Sequence, residues 1–173
     1  MEILRCSVND LDQLLEISCM TFLETYGADN KPENLQFHLN TVFNKNRLKL
    51  ELSDPNVHYY FAIINGLVIG YLKLNFDGAQ TELKDDESVE IERIYVLRVH
   101  QGKKIGQQLF EKALEIARRS DKTCLWLGVW ERNVKAINFY EQNGLRRFGT
   151  HIFRLGTDQQ SDILMKRELR PNR

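Results

Sequence analysis

The chain has 173 residues, with 24 Lys+Arg against 24 Asp+Glu, and its formal net charge of zero removes the general electrostatic case for nucleic-acid binding. An apolar content of 42% and a charged content of 28% sit near the globular norm and exclude disorder and collagen-like repetition, and the length fits one domain over 1–173. The longest apolar run, Tyr59 to Ile64, falls far short of the ~18 residues of a membrane span.

Met1-Glu2-Ile3-Leu4-Arg5 shows no basic stretch leading into an apolar one, so no secretory signal is expected. Three scattered cysteines, Cys6, Cys19 and Cys124, make neither a disulfide framework nor a zinc site, and a reducing cytoplasm is the simplest location. Asn9-Asp10 precedes apolar residues three and four apart, which predicts a capped helix running towards Tyr26. A second helix is expected from Pro32-Glu33, with Leu35, Leu39, Val42 and Phe43 on one side. Asp54-Pro55-Asn56 reads as a turn.

The periodicity then changes to that of strands. Tyr59–Ile64 and Leu67–Leu74 flank Asn65-Gly66, a strong hairpin signal. Asp77 to Glu87 is a polar connection. From Val89 to Val96 the alternation changes phase, because Val89 and Ile91 share one face and Ile94 and Val96 fall out of step. One extra residue near Glu92-Arg93, a β-bulge, explains this, with Tyr95 assignable to either face. A long helix follows, striped by Leu109, Ala113, Ile116 and by Phe110, Leu114, Ala117. Thr123–Trp130 is a nearly continuous apolar strand, expected at the sheet centre with Trp126 and Trp130 as packing. Asn133 caps a short helix that ends at Asn143-Gly144. Strands near Leu145–Leu155 and Ser161–Leu169 complete a mixed-sheet α/β (α+β) fold, in which Val89–Trp130 forms a parallel strand–helix–strand unit.

Chemistry concentrates at Gln101-Gly102-Lys103-Lys104-Ile105-Gly106, between a strand and a helix start. Free amides, two glycines and two lysines there suit an anion; the alternative is a plain connection. The spacing is not that of a P-loop. Seven acids between Asp77 and Glu92, against Lys84 alone, either draw a polycation, with Glu24 contributing, or form a solvated loop. The four histidines are isolated and no metal site is expected. Basic residues after Lys166 (Arg167, Arg170, Arg173) read as an exposed tail. Glu90, and Glu92 beside the bulge, read as solvated strand residues.

Gln101-xx-Lys104-x-Gly106 after Ile91-Glu92-Arg93-Ile94-Tyr95-Val96 resembles the acyl-CoA signature of the GCN5-related N-acetyltransferases, with Lys104 at the central glycine position. Asn133 through Leu145 matches the second half of that pattern, including Asn133, Ala136, Phe139-Tyr140 and Gly144. Thr21–Tyr26, Leu125–Glu131 and Thr150–Met165 look like the PaiA-type bacterial polyamine acetyltransferases. The resemblance implies a fold with a bulged, splayed strand and transfer of acetyl from acetyl-CoA to a primary amine of spermidine or spermine. A primary amine of pKa ~10.4 is neutral in about 1 part in 2500 at pH 7, a cost of ~4.6 kcal/mol, so such a transfer needs a proton acceptor, for which Glu92 is the first candidate and Glu90 the second. It implies cofactor contacts from Gln101, Gly102, Lys103, Lys104, Ile105, Gly106 and Asn133, and from the Ile94–Tyr95–Val96 backbone. It also implies that Tyr140 protonates the leaving thiolate; without it Tyr140 reads as core and Asn133 as a helix cap. Relatives that acetylate protein termini carry a glutamate where Gly128 stands here. A protein or peptide N-acetyltransferase and a non-turnover acyl-CoA-binding regulator stay open as alternatives, as does a homodimer.

Overall fold

The computed structural model describes residues 1–169, so Arg170 and Arg173 of the expected tail lie outside the described residues. The strands are β1 (Glu2–Arg5), β2 (Val57–Ile64), β3 (Leu67–Phe76), β4 (Ser88–Val96), β5 (Cys124–Trp130), β6 (Arg146–Leu155) and β7 (Asp158–Glu168). They form one sheet in the order β1-β2-β3-β4-β5-β7-β6. Five helices accompany them: α1 (Leu11–Tyr26), α2 (Pro32–Val42), α3 (Lys45–Ser53), α4 (Ile105–Arg119) and α5 (Val134–Gln142). The sheet is antiparallel except at β4–β5, which run parallel.

Two apolar layers sandwich the sheet. On one face Leu109, Phe110, Ala113 and Ala117 of α4 and Ile137 and Tyr140 of α5 join Leu72, Leu74, Ile91, Leu125 and Leu127. On the other, Leu14 and Ile17 of α1 and Leu48 of α3 pack on Tyr59, Phe61 and Tyr71. A satellite cluster of Phe22, Leu35, Phe43 and Leu155 ties α1 and α2 to β6. The expected α4 stripe is thus the contact surface, and burying five such side chains contributes on the order of 10 kcal/mol before entropy is charged against it.

Local chemistry explains most element ends. Asn65 and Gly66 both take positive φ (51° and 77°), as a two-residue hairpin with the strand twist requires. The start of α1 differs from expectation: Asp10 makes no side-chain cap there, and instead Ser7 and Asp10 form a capping box on the short 3-10 turn ahead of it. Asn133 caps α5 by accepting from Ala136 N–H at 3.2 Å, and Gly144 ends it at φ 82°.

Three elements depart from the sequence reading. β1 is four residues long and mostly exposed, too short for an alternation signal. α3 was hidden because Lys45–Ser53 buries Leu48 alone. β7 begins at Asp158, ahead of Ser161, and inserts between β5 and β6. Arg167 belongs to β7 and donates to the Asn143 carbonyl at 2.9 Å, so it is no part of a tail.

The feature that positions the site is the β4–β5 junction. Lys73 pairs with Arg93 but Leu74 pairs with Ile91, leaving Glu92 as the extra, bulged residue. Parallel pairing with β5 covers Ser88, Val89 and Glu90 and then stops. Beyond Glu90 the two strands diverge, and a wedge opens between Ile94–Val96 and Gly128–Trp130.

Candidate active site

The wedge joins two cavities. The larger, about 850 Å³, runs along the loop after β4, the start of α4 and one side of α5; the smaller, about 260 Å³, lies among α1, α2, β4, β5, β6 and β7. Tyr26, Glu92, Tyr95, Gly128 and Trp130 line both, so the cavities meet at those five residues.

In the larger cavity, Lys104 takes the left-handed conformation (φ 62°, ψ 14°) immediately before α4 and provides no side-chain cap. A non-glycine residue there costs about 1 kcal/mol, so the lysine that stands at the motif's central glycine position sits in a strained turn. The first amides of α4 are left without a side-chain partner, as an anion-binding helix start requires. A Cβ built on Gly102 or Gly106 would meet nothing within 4 Å, so the backbone presents an open cradle. Gln101, Gly102, Lys104, Ile105 and Gly106 line the cavity. Lys103 is exposed and does not line the cavity.

The bulge rotates the strand backbone towards the cavity. Leu97 N–H donates to the Ile69 carbonyl at 2.9 Å. Bonded pairs alternate along an antiparallel ladder, so Tyr95, opposite Tyr71, turns its amide and carbonyl to β3. The amides of Ile94 and Val96 point into the wedge. The Val96 carbonyl accepts from Gln101 Nε2 at 3.0 Å, and Lys135 Nζ donates to Gln101 Oε1 at 2.9 Å. Tyr95 enters the site through its side chain, with its hydroxyl 3.2 Å from that of Tyr26.

Tyr140 is 8% exposed and packs its ring on Phe139 and Phe110. Burial pushes its phenol well above the ordinary tyrosine value, which keeps the proton on the oxygen at any physiological pH. Asn133 lines the same cavity from the head of α5.

The smaller cavity contains Glu82, Glu90, Glu92 and Asp162 against Arg47 and Arg93, with aromatic walls that include Tyr26 and Trp130. Its acids are mostly engaged. Glu82 meets His151 at 2.9 Å. Glu90 accepts from Thr81 (2.8 Å from N–H, 2.5 Å from the hydroxyl) and from Asn75 (3.1 Å), and burial raises its carboxyl. Glu92 bonds Lys73 at 2.5 Å, Arg93 at 3.1 Å and Asn75 at 2.6 Å. Burial alone would raise its carboxyl, but the Arg93 guanidinium and Lys73 ammonium hold it down at about 2. Lys73, Arg93 and Asn75 thus already hold this carboxylate, and Glu92 anchors the bulge at the cavity wall.

The acidic run is dispersed in the same way. Asp77 pairs with Lys122 at 2.8 Å, and Asp85 accepts from Ser88 and Glu87 amides. Glu24 accepts from the Arg98 amide at 2.8 Å on the larger cavity's side, which it shares with Glu92 alone of the acids it was expected to join. The tryptophans do more than pack: Trp126 donates to Gln80 at 2.7 Å, and both rings line the smaller cavity. Sequence reading missed Asp162, His38 and Arg93 as site residues. Their strands and helix were recognisable, but only the β5–β7–β6 register brings Asp162 opposite Trp130 and His151. Among the described residues no cluster of three or more His, Cys, Asp or Glu is arranged to hold a metal ion, and no helix is long and apolar enough to cross a membrane.

A parallel strand pair splayed by a bulge, with an uncapped helix start on one side and an acid-lined cavity on the other, is the architecture of an acyltransferase. The chain belongs to the acetyltransferase (GNAT) family, whose model matches residues 11–145. An uncharacterized N-acetyltransferase from Lactobacillus delbrueckii subsp. lactis is 45% identical over 168 residues, 97% of each chain. A spermidine N(1)-acetyltransferase from Thermoplasma acidophilum is 25% identical over 171 residues, 96% of each chain. The crystal structure of the PaiA N-acetyltransferase from that organism, in complex with coenzyme A, superposes with a TM-score of 0.81 at 23% identity, covering 97% of this chain and 98% of that one. The protein is therefore an N-acetyltransferase of this fold.

Proposed function

We propose that this acetyltransferase uses acetyl-CoA and transfers the acetyl group directly to a primary amine of a polyamine such as spermidine or spermine. The observation that carries the reading is the meeting of the two cavities at the wedge. The cradle of the larger one suits a pyrophosphate, and the smaller one sets four carboxylates against two guanidiniums. The acceptor amine and the thioester then approach from opposite sides of Gly128 and Tyr26, and no covalent enzyme intermediate is needed.

In this reading a small set of residues divides the work. Amides of residues 105–107 at the head of α4 hold phosphate, with the helix dipole adding to their charge. Ile94 and Val96 amides bind the pantetheine arm and polarise the thioester carbonyl, whose oxygen gains charge as nitrogen attacks. Asn133 orients the arm from the other wall. The Tyr140 hydroxyl donates its proton to sulfur as the carbon–sulfur bond breaks. Acidic and aromatic groups of the smaller cavity accommodate a flexible cation through charge and cation–π contact.

Thiol release from acetyl-CoA, followed with spermidine, spermine, a lysine-containing peptide and an aminoglycoside, tests the proposal. The expected result is a kcat/KM for the polyamines at least tenfold above that for the peptide. A preference for the peptide would replace the acceptor class. Acetyl-CoA binding without thiol release for any amine would turn the reading to a regulator.

A further inference from the structure

Gly128 and Asp162 occupy one face of adjacent strands. On β5 the residues on that face are Trp126, Gly128 and Trp130, and their partners on β7 are Lys166, Leu164 and Asp162. A Cβ built on Gly128 would lie 3.6 Å from Asp162 Oδ2 and 3.8 Å from its Cβ. The carboxylate therefore stands within van der Waals reach of the position that a side chain at 128 would take. Resting on the reading of the chain as an amine acetyltransferase, we propose that Asp162 receives the acceptor's ammonium group and takes its proton, supplying from β7 the carboxylate that residue 128 lacks.

Three observations support this assignment. First, Asp162 is the free acid of the cavity. Among the described residues its carboxylate makes no hydrogen bond or ion pair, whereas Glu82, Glu90 and Glu92 are each held by partners. Second, it borders the wedge. Gly128 beside it lines both cavities, and so does Tyr26, whose phenol is raised by burial and by the charge of Asp162 and in turn raises that of Tyr140. Third, burial raises the Asp162 carboxyl to about 6, with His151 lowering it and Glu131 raising it. That value lies near the working pH at which a base is effective, unlike the value of about 2 at Glu92.

The protons balance with this arrangement. The ammonium R–NH3+ gives one proton to the Asp162 carboxylate and becomes the nucleophile R–NH2. The nitrogen–carbon bond forms and the carbon–sulfur bond breaks, with the electron pair leaving on sulfur. Tyr140 protonates that sulfur, and the second nitrogen proton returns to the tyrosine oxygen. Asp162 releases its proton to solvent, so the overall change is one amide, one thiol and one proton from ammonium and thioester.

The titratable groups that act on Asp162 or share its cavity are His151 of β6, Glu131 after β5, Tyr26 of α1, His38 of α2, Arg47 of α3, Glu82 of the acidic loop, and Glu90, Glu92, Arg93 and Tyr95 of β4. Burial, with Arg93, lowers His38 to about 4, so His38 stays neutral and the acidic limb of the rate profile belongs to Asp162. Asp162→Asn keeps the shape and removes the base. Its kcat/KM for the best acceptor found in the panel should fall about 100-fold at pH 7, with acetyl-CoA affinity by calorimetry unchanged. The wild-type acidic limb near pH 6 should disappear, and the variant's rate should rise with pH until it nears wild type where the amine is neutral. In that background Gly128→Glu should recover at least tenfold, since its Cβ would meet only ordinary contacts. The control His151→Gln should retain the limb. A loss under threefold with the limb intact overturns the assignment, and so does a limb that vanishes in the His151 variant instead. Because the acceptor is chosen from the panel, failure of the polyamine reading changes the acceptor and leaves this test in force.

Discussion

Tyr140 illustrates how a single hydroxyl is separable from the ring that carries it. The ring is part of the packed layer between α4 and α5, against Phe110 and Phe139, while among the described residues the hydroxyl has no hydrogen-bond partner and the residue borders the larger cavity. Tyr140→Phe removes the oxygen alone. If it protonates sulfur, its interaction strengthens only in the transition state, so kcat should fall about 100-fold or more while KM for the amine and thermal stability stay near wild type. Tyr140→Ala would in addition open a cavity and cost about 3–5 kcal/mol of stability. Turnover within threefold of wild type for the Phe variant, measured by thiol release, would return Tyr140 to a purely packing role. The residue's position was legible from its spacing after Asn133; the openness of its hydroxyl was not, since that depends on where β4 and β5 part.

At the scale of elements, the loop and the head of α4 act as one unit. Gly102 turns the chain at φ 77° and Lys104 repeats the left-handed turn at 62°, so the amides of the first helical turn come forward without a cap. Gly106 has ordinary backbone geometry and free space around it. Gly106→Val should therefore leave urea stability within about 0.5 kcal/mol, the range of ordinary surface changes. It should also weaken acetyl-CoA binding at least tenfold by calorimetry, because the side chain fills the space a phosphate needs. Unchanged affinity in the folded variant would remove this loop from the site. Elements of this kind were readable because their signals are local: two glycines, a Pro at a helix start, an Asn-Gly turn, a phase change at Glu92. α3 and β1 were not, since one short helix buries a single leucine and one strand stands mostly exposed at the sheet edge. The placement of β7 between β5 and β6 is a long-range pairing, and no local pattern encodes the register that sets Asp162 beside Gly128.

At the scale of the whole molecule, the bulge that opens the site is held by a charge network reaching across four elements. Glu51 of α3 meets Lys73 of β3 at 3.1 Å and accepts from Tyr59 of β2, Lys73 meets Glu92 of β4 at 2.5 Å, and Arg93 donates to Tyr59 and Glu92 at 3.1 Å each. Lys73 is 4% and Arg93 7% exposed, so each needs its anions. Arg93 also lies over the Phe43 ring, 4.7 Å from its centroid, which carries the network to the end of α2. Glu92→Gln leaves the Lys73 and Arg93 cations short of an anion, and breaking a buried pair on one side costs about 3–5 kcal/mol. Because Glu51 stays within reach of Lys73, the loss should fall at the lower end, near 3 kcal/mol by urea unfolding at pH 7. The pH dependence follows from the depressed carboxyl. A group held at about 2, against an ordinary 4.5, contributes stability that is complete above pH 4.5 and disappears as pH falls towards 2. Wild type should thus lose stability steeply across that window, while the Gln variant starts lower and loses less there. Equal stability of the two proteins at pH 7, with parallel acid profiles, would show that Glu92 is not what holds the bulge.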